Sequence, residues 1–249
     1  MERQSLSEIL DSPGLPDMVI ARAYRDIARI HRWLGDTDYV VRAIRRDPLP
    51  VRRIMDIGCA TGLVLNDVQR RLGVEGIGVD INPHPSIAAP VTIVSADACR
   101  DPLPKADIAY CMCLGHHLCE TGLADMVRNV GRSCRRFLIV DLVRHPLPLG
   151  LFRIAIAPFV CRINAEDGCR SIRRSYTPLE MGRIVTHALA GAAGTYQHTV
   201  APFYVRQVID ISYACRRCPE ASGINGRMRS EFSARGEGIF GNSCIISNT

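Results

Sequence analysis

The sequence predicts an α/β fold: a doubly wound, mostly parallel sheet of seven strands with a C-terminal antiparallel hairpin. Three observations carry that expectation. Short runs rich in β-branched residues alternate with helical patterns from about residue 51 to 192, the rhythm of parallel strands joined by crossover helices. Successive runs end in an acid, and the first acid is followed by glycines. A chain of 249 residues with 47% apolar side chains is long enough to bury one sizeable core, and it carries no internal repeat.

Residues 1–16 are polar and broken by prolines, and are expected to be flexible. From 17 to 46, apolar positions recur at helical spacing, with Val19, Ala23, Ile27, Ile30 and Leu34 on one face. Gly35 ends a first helix, and "DPLP" at 47–50 closes a second. "VRRIMDI" is the first strand, and "LVLNDVQRRLG" is a helix. "VEGIGVDI", "PVTIVSAD" and "KADIAYCMCLG" follow as strands two to four, then the helical "DMVRNVGRSC" and the fifth strand "RRFLIVDLV". Residues 145–170 are apolar and proline-bearing, and read as an inserted helical cap. "YTPLEMGRIVTHALAGA" carries Thr177 as N-cap, Pro178 at the first position and Glu180 at the third, a helix start. "TYQHTVA" and "FYVRQVIDISY" form the hairpin. One domain is thus expected over 17–215. The stretch 216–249, rich in Gly, Ser and Arg, is expected to be disordered.

Composition excludes several classes. The net charge of +6 arises from scattered arginine pairs such as Arg52-Arg53 and Arg173-Arg174, without the clustered stripe and interleaved aromatics of a nucleic-acid groove. No signal peptide opens the sequence, so a cytoplasmic location is expected and the eleven cysteines are not read as a disulfide framework. Cys59, Cys111 and Cys113 lie in apolar runs as small buried hydrophobes. "CRRC" at 215–218 is a lone pair without a second pair or a histidine, and no metal is expected. The longest apolar stretch contains prolines and Arg153 and falls short of a membrane span of ~20 residues.

In a doubly wound sheet, ligands bind outside the carboxyl ends of the strands, where strand order reverses. "IMDIGCATG" is such an end: Asp56, then Gly58 to Gly62, a turn that lets a ligand approach the backbone. Asp80 ends the next strand, suitably placed to accept both hydroxyls of a ribose, and Asp97 follows the third. Three acids repel a pyrophosphate, and the lysine of a P-loop is missing; a nucleoside with a cationic tail suits them. A strand-tip Asp also serves as a plain helix cap.

With "MDIGCATG", "VDIN", "SADA" and "ADIAYCMCLGHHL" in that order, residues 20–213 resemble the class I S-adenosylmethionine-dependent methyltransferases. The resemblance implies a Rossmann-like fold and S-adenosyl-L-methionine as cofactor. It implies that Asp56 and the backbone of Gly58, Cys59, Ala60 and Gly62 cradle the methionine portion. Asp80, with Ile81 beside it, would take the ribose, Asp97 and Ala98 the adenine, and the Cys111 region the ammonium. The middle glycine of the family's first motif is Ala60 here.

Methyl transfer is an in-line displacement from a good leaving group, so alignment and desolvation are the protein's main tasks. A hydroxyl acceptor also needs its proton removed. His116, His117, Asp141 and His145 are the candidates. Leu147, Leu151, Phe152, Ile154, Phe159 and Val160 make 146–163 strongly apolar: the roof of a hydrophobic acceptor pocket, an extra core helix, or the face of a homodimer. Phe152, Phe159, Trp33 and Tyr176 are the acceptor-binding candidates. "DGCRSIRRSYTP" and "ARIHRWLGD" resemble segments of small-molecule methyltransferases of bacterial secondary metabolism. The expected activity is therefore O-methylation of a phenolic, polyketide or quinone-like small molecule. C- or N-methylation, an RNA or protein substrate, and a non-catalytic scaffold are the alternatives.

Overall fold

The computed structural model describes residues 1–84, 89–191 and 194–214, and the backbone of 244–247. Helices α1 (Asp17–Trp33) and α2 (Asp36–Arg45) precede β1 (Arg53–Ile57), α3 (Leu63–Leu72), β2 (Glu75–Asp80), β3 (Thr92–Ser95), β4 (Ile108–Met112), α4 (Glu120–Val130) and β5 (Arg136–Asp141). Helices α5 (Pro146–Ala155), α6 (Arg162–Arg174) and α7 (Pro178–Leu189) follow, then β6 (Gly194–Val200), β7 (Gln207–Tyr213) and β8 (Cys244–Ser247). The sheet order is β3-β2-β1-β4-β5-β7-β6-β8. The first five strands are mutually parallel; β7 runs antiparallel to both β5 and β6. The chain winds outward from β1 to β3, then crosses back to β4, so strand order reverses between β1 and β4.

Alternation along the strands builds two cores. Ile54, Ile108, Tyr110, Leu138 and Val140 pack on Val40, Val41 and Ile44 of α2 and on Leu65 and Val68 of α3. Met55, Ile57, Ala109, Cys111, Phe137 and Ile139 face the other way, onto α4 and α7. Both faces are covered, which is why these strands read as continuous apolar runs. Gly35 stands in the left-handed region between α1 and α2, at φ 77°. The capping box at Thr177 and Glu180 forms with Pro178 in the first turn.

Three sequence expectations need correction or restriction. Residues 1–16 are docked rather than free. Arg3 donates to the carbonyls of Arg174 at 2.7 Å and Leu118 at 2.9 Å, and its guanidinium lies 4.0 Å over the Tyr176 ring. The backbone amides of Ile9 and Leu10 donate to the two oxygens of Asp167. Composition suggested flexibility because the segment is polar, but its polar groups find fixed partners on α6. An eighth strand, β8, pairs antiparallel with β6 within the stretch expected to be disordered. The rest of that stretch, with "CRRC", lies outside the described residues. No helix among the described residues is long and apolar enough to cross a membrane, and the eight cysteines whose side chains are described are free thiols.

Candidate functional site

A cavity of about 1000 Å³ opens at the point where strand order reverses. Its strand-tip wall comes from the ends of β1, β2 and β4. Asp56 is buried, paired in register with Tyr110 of β4. Burial pushes its carboxyl up to about 8; the Tyr110 hydroxyl opposes the rise and Asp80 adds to it. The Tyr110 hydroxyl itself lies in the core, outside good hydrogen-bonding geometry.

Beyond Asp56 the chain turns sharply. Gly58 donates to the Val79 carbonyl at 2.8 Å and stands at φ 74°; a side chain there would meet Leu114. Ala60 also stands in the left-handed region, at φ 49°. Its amide donates to Asp80 Oδ2 at 2.8 Å, and Asn82 donates to Asp80 Oδ1 at 2.8 Å. These two bonds aim the carboxylate while leaving each oxygen a further lone pair.

The other wall is helical. Residues 8–15, α1, α5 and α6 line it with Ile20, Ile27, Leu34, Leu151, Phe152 and Ile156 among others. Gly168 leaves the space that the Phe152 ring fills. Charged contacts hold these elements. Asp36, fully buried, accepts from Arg206 at 3.0 and 3.1 Å and pairs with His31 Nδ1 at 2.8 Å. The Asp36 carboxyl lies below its usual range: burial opposes this, and Arg206 and His31 prevail. Asp26 accepts from the Cys161 amide and from Arg29.

Between the walls stands a polar cluster. His116 Nδ1 meets Asp141 Oδ1 at 2.7 Å, and its Nε2 lies 3.4 Å from Glu8 Oε1. His117 Nε2 lies 3.5 Å from the same Glu8 oxygen, and its Nδ1 3.4 Å from Asp11 Oδ2. Burial lowers the His116 pKa, but Asp141 and Glu8 overcome it and raise it to about 9. Glu8 falls to about 2 against the opposing effect of burial, chiefly through the neighbouring His116 and then His117.

The residues expected from sequence divide clearly. Asp56, Gly58, Cys59, Ala60, Asp80, Ile81, His116, His117 and Phe152 all line the cavity. Gly62 adjoins the lining residues Thr61 and Leu63, at φ 70°. Asp141 stands behind His116. Asp97 and Ala98 do not line the cavity: Asp97 accepts from the Cys99 amide, and the Ala98 carbonyl accepts from Asn129. Cys111 is fully buried, and its neighbours Met112 and Cys113 line the cavity instead.

Four expected residues lie elsewhere, each for a visible reason. His145 caps α5 through its bond to the Leu147 amide and stacks on Tyr204 at 4.5 Å. Tyr176 is buried beneath Arg3, and its hydroxyl donates to Leu118. Trp33 and Phe159 are exposed, outside the cavity. Glu8, Asp11, Tyr24 and Asp167 reach the site without any signal in the sequence pattern. Tyr24 feels burial first, then Asp80, Asp11 and Glu8, and together they push its phenol far up.

The chain matches no family model, and it matches no characterised protein sequence at a significant level. Solved structures do match. The plantazolicin methyltransferase BpumL, in complex with SAH, superposes with a TM-score of 0.60 at 12% identity, over 80% of this chain and 90% of that one. The small RNA methyltransferase HEN1 gives 0.55 at 13% identity, over 72% of this chain and 25% of that one. The mitomycin 7-O-methyltransferase MmcR gives 0.50 at 13% identity, over 73% and 54%.

Proposed function

The chain has the class I methyltransferase fold, and we propose that it transfers the methyl group of S-adenosylmethionine to a hydrophobic small molecule, with oxygen as the methylated atom. One observation carries this reading above the others. Two carboxyl groups, Asp56 and Asp80, stand at the tips of adjacent strands at the reversal point and open into a large cavity whose opposite wall presents the apolar Ile20, Ile27, Leu151, Phe152 and Ile156. The acids suit a cationic nucleoside, and the apolar wall suits an uncharged organic acceptor.

In this reading Asp56 faces the ammonium of the cofactor. The turn from Gly58 to Thr61 brings backbone close to its methionine chain, and Asp80 accepts from the ribose hydroxyls. The bound cofactor supplies an activated methyl group. The protein aligns the acceptor and excludes water: Phe152, Leu151 and Ile156 pack the acceptor, and the Glu8–His116–His117 cluster orients its polar end.

The makeup of the cavity speaks against a polyanionic acceptor. Its lining holds five acids, Glu8, Asp11, Asp56, Asp80 and Asp167, against two arginines, Arg174 and Arg206. Arg206 is already engaged by Asp36, and a nucleic-acid groove requires the opposite balance.

The test is a titration of the protein with S-adenosylmethionine and its demethylated product, followed by methylation assays on a panel of phenols and quinols and on bulk RNA. Binding plus turnover of an apolar hydroxyl compound is expected. Binding with turnover only on RNA would overturn the acceptor class, and no binding would overturn the cofactor.

A further inference from the structure

We propose that Glu8, His116 and His117 bind one divalent transition-metal ion of the Zn2+ type through Glu8 Oε and the two imidazole Nε2 atoms, with coordination positions left open toward the cavity. No spacing in the sequence announces such a site, because its carboxylate lies more than a hundred residues before its histidines. Folding brings one donor atom from each of the three residues within 4.8 Å of the others.

The two separations from the carboxylate are those a metal requires. Ligand bonds of about 2.0–2.1 Å in a tetrahedral shell place neighbouring donor atoms about 3.3–3.4 Å apart. Glu8 Oε1 lies 3.4 Å from His116 Nε2 and 3.5 Å from His117 Nε2. These distances are too long for strong hydrogen bonds but match the edges of a coordination polyhedron.

His116 Nε2 supplies the independent sign. It is a buried polar atom without a hydrogen-bond partner among the described residues, on a side chain 2% exposed, and it points at Glu8. Burying an imidazole nitrogen unsatisfied is costly. A metal ion on that nitrogen removes the cost.

The outer contacts are also those of a metal site. A ligating histidine usually gives its other ring N–H to a carboxylate, which fixes the tautomer and the ring's direction. Here His116 Nδ1 meets Asp141 at 2.7 Å. Asp141 is itself held by the backbone amides of His116 and Leu142, at 3.0 and 2.7 Å. Ser171 Oγ donates to Glu8 Oε1 at 2.6 Å, which anchors the carboxylate on α6. Two histidines and one carboxylate with open positions suit Zn2+, Fe2+ or Mn2+ better than a hard cation that prefers oxygen alone.

Glu8, Asp11 and both histidines line the same cavity as Asp56 and Asp80. The open positions therefore face the space assigned above to the acceptor. On that assignment, which this role rests on, an acceptor hydroxyl, enol or carboxylate would coordinate the ion through oxygen. The existence of the site does not depend on the assignment.

The experiment uses the full chain, stripped with a chelator and titrated with Zn2+ against a chromophoric competitor, with Co2+ as a spectroscopic probe. One equivalent of tight binding is expected. The Co2+ spectrum should show ligand-field bands without the thiolate charge-transfer band that the cysteines would produce. Glu8→Gln and His117→Ala should each weaken Zn2+ at least tenfold, and Asp141→Asn by about 10–100-fold through its hold on His116. Zn2+ should raise the melting temperature of the wild type and not that of Glu8→Gln, a nearly isosteric change whose fold is checked by circular dichroism. Absence of stoichiometric binding, a thiolate band, or affinity unchanged by both Glu8→Gln and His117→Ala would overturn the site. A protein that takes up Zn2+ here but ignores S-adenosylhomocysteine would keep the metal site and refute the methyltransferase reading; the opposite result would do the reverse.

Discussion

Along the strand-tip wall, Asp56, Gly58, Ala60 and Asp80 are placed by backbone: the register of β1 with β2, a left-handed turn and two amide bonds to Asp80. Across the cavity, the helical wall is placed by side chains that reach between distant segments: Asp36 to Arg206, Asp167 to the amides of Ile9 and Leu10, Arg3 to Arg174. The first wall is as rigid as the sheet that carries it. The second depends on a few buried charges, each satisfied only while its partner stays in place. On the proposed reading the first wall suits the cofactor, and the second, through Leu151, Phe152 and Ile156, suits the acceptor.

The sharpest way to break that contrast is to remove a charge that holds the helical wall. Arg206→Ala strands the Asp36 carboxylate, which is 0% exposed and left with His31 alone. A loss of about 3–5 kcal/mol in stability is expected from a buried pair broken on one side. Denaturant unfolding measures it. Asp36→Asn in the Arg206→Ala background should recover part of the loss, since the uncompensated charge is then gone. A loss below about 1 kcal/mol would mean that this wall is not held by its buried charges.

The two walls also differ in how readily they are seen in the sequence. Asp56, Gly58 and Asp80 lie at the ends of strands, and a strand end is visible wherever an apolar run meets an acid and a glycine. His116 and His117 follow β4 and are legible for the same reason. Glu8 and Asp11 were invisible, because a polar segment with prolines carries no periodicity and its docking depends on Asp167, more than 150 residues away. Trp33 and Phe159 misled in the opposite direction. Large apolar side chains suggest a pocket, yet 50% of Trp33 and 63% of Phe159 is exposed, and Phe159 contributes its backbone carbonyl to Arg29 instead. His145 was suggested by its place after β5, but a histidine just before a proline-led helix is used as a cap.

If the walls divide the labour between the two substrates, mutations should separate them. Phe152→Ala removes the aromatic ring from the helical wall, and burying a Phe against a ligand is worth about 1.5–3 kcal/mol. The KM for an apolar acceptor should rise accordingly while the affinity for S-adenosylhomocysteine stays put. Equal loss of both would show that the walls act as one. The converse change is Asp80→Ala, which deletes a charge-assisted acceptor for the ribose. Calorimetry should show S-adenosylhomocysteine weakened by about 1–3 kcal/mol. Unchanged affinity would remove Asp80 from the cofactor site.

The smallest expected effect tests whether the strand-tip wall also tunes its ligand by charge. Burial holds the Asp56 carboxyl at about 8, so most of it carries a proton near neutral pH in the empty protein. The groups around it are Tyr110 on β4 and Asp80 on β2, with the Cys59 and Cys111 thiols feeling its charge in turn. None of these supplies a positive charge, and the ammonium of the cofactor would. Binding should therefore ionise Asp56 and release a proton. Affinity for S-adenosylhomocysteine should rise as pH climbs to about 8 and level off above it, by about 1.4 kcal/mol per unit at most. The empty protein should behave in the opposite sense. A carboxyl raised in the folded state contributes stability that is present below its unfolded pKa and is lost as pH climbs through about 8. Calorimetry in buffers of different ionisation heat reads the released proton directly, and Asp56→Asn should abolish both the release and the pH dependence. An affinity that stays flat as pH passes through the Asp56 pKa would show that the ammonium does not rest on Asp56 and that this wall binds through its backbone and Asp80 alone.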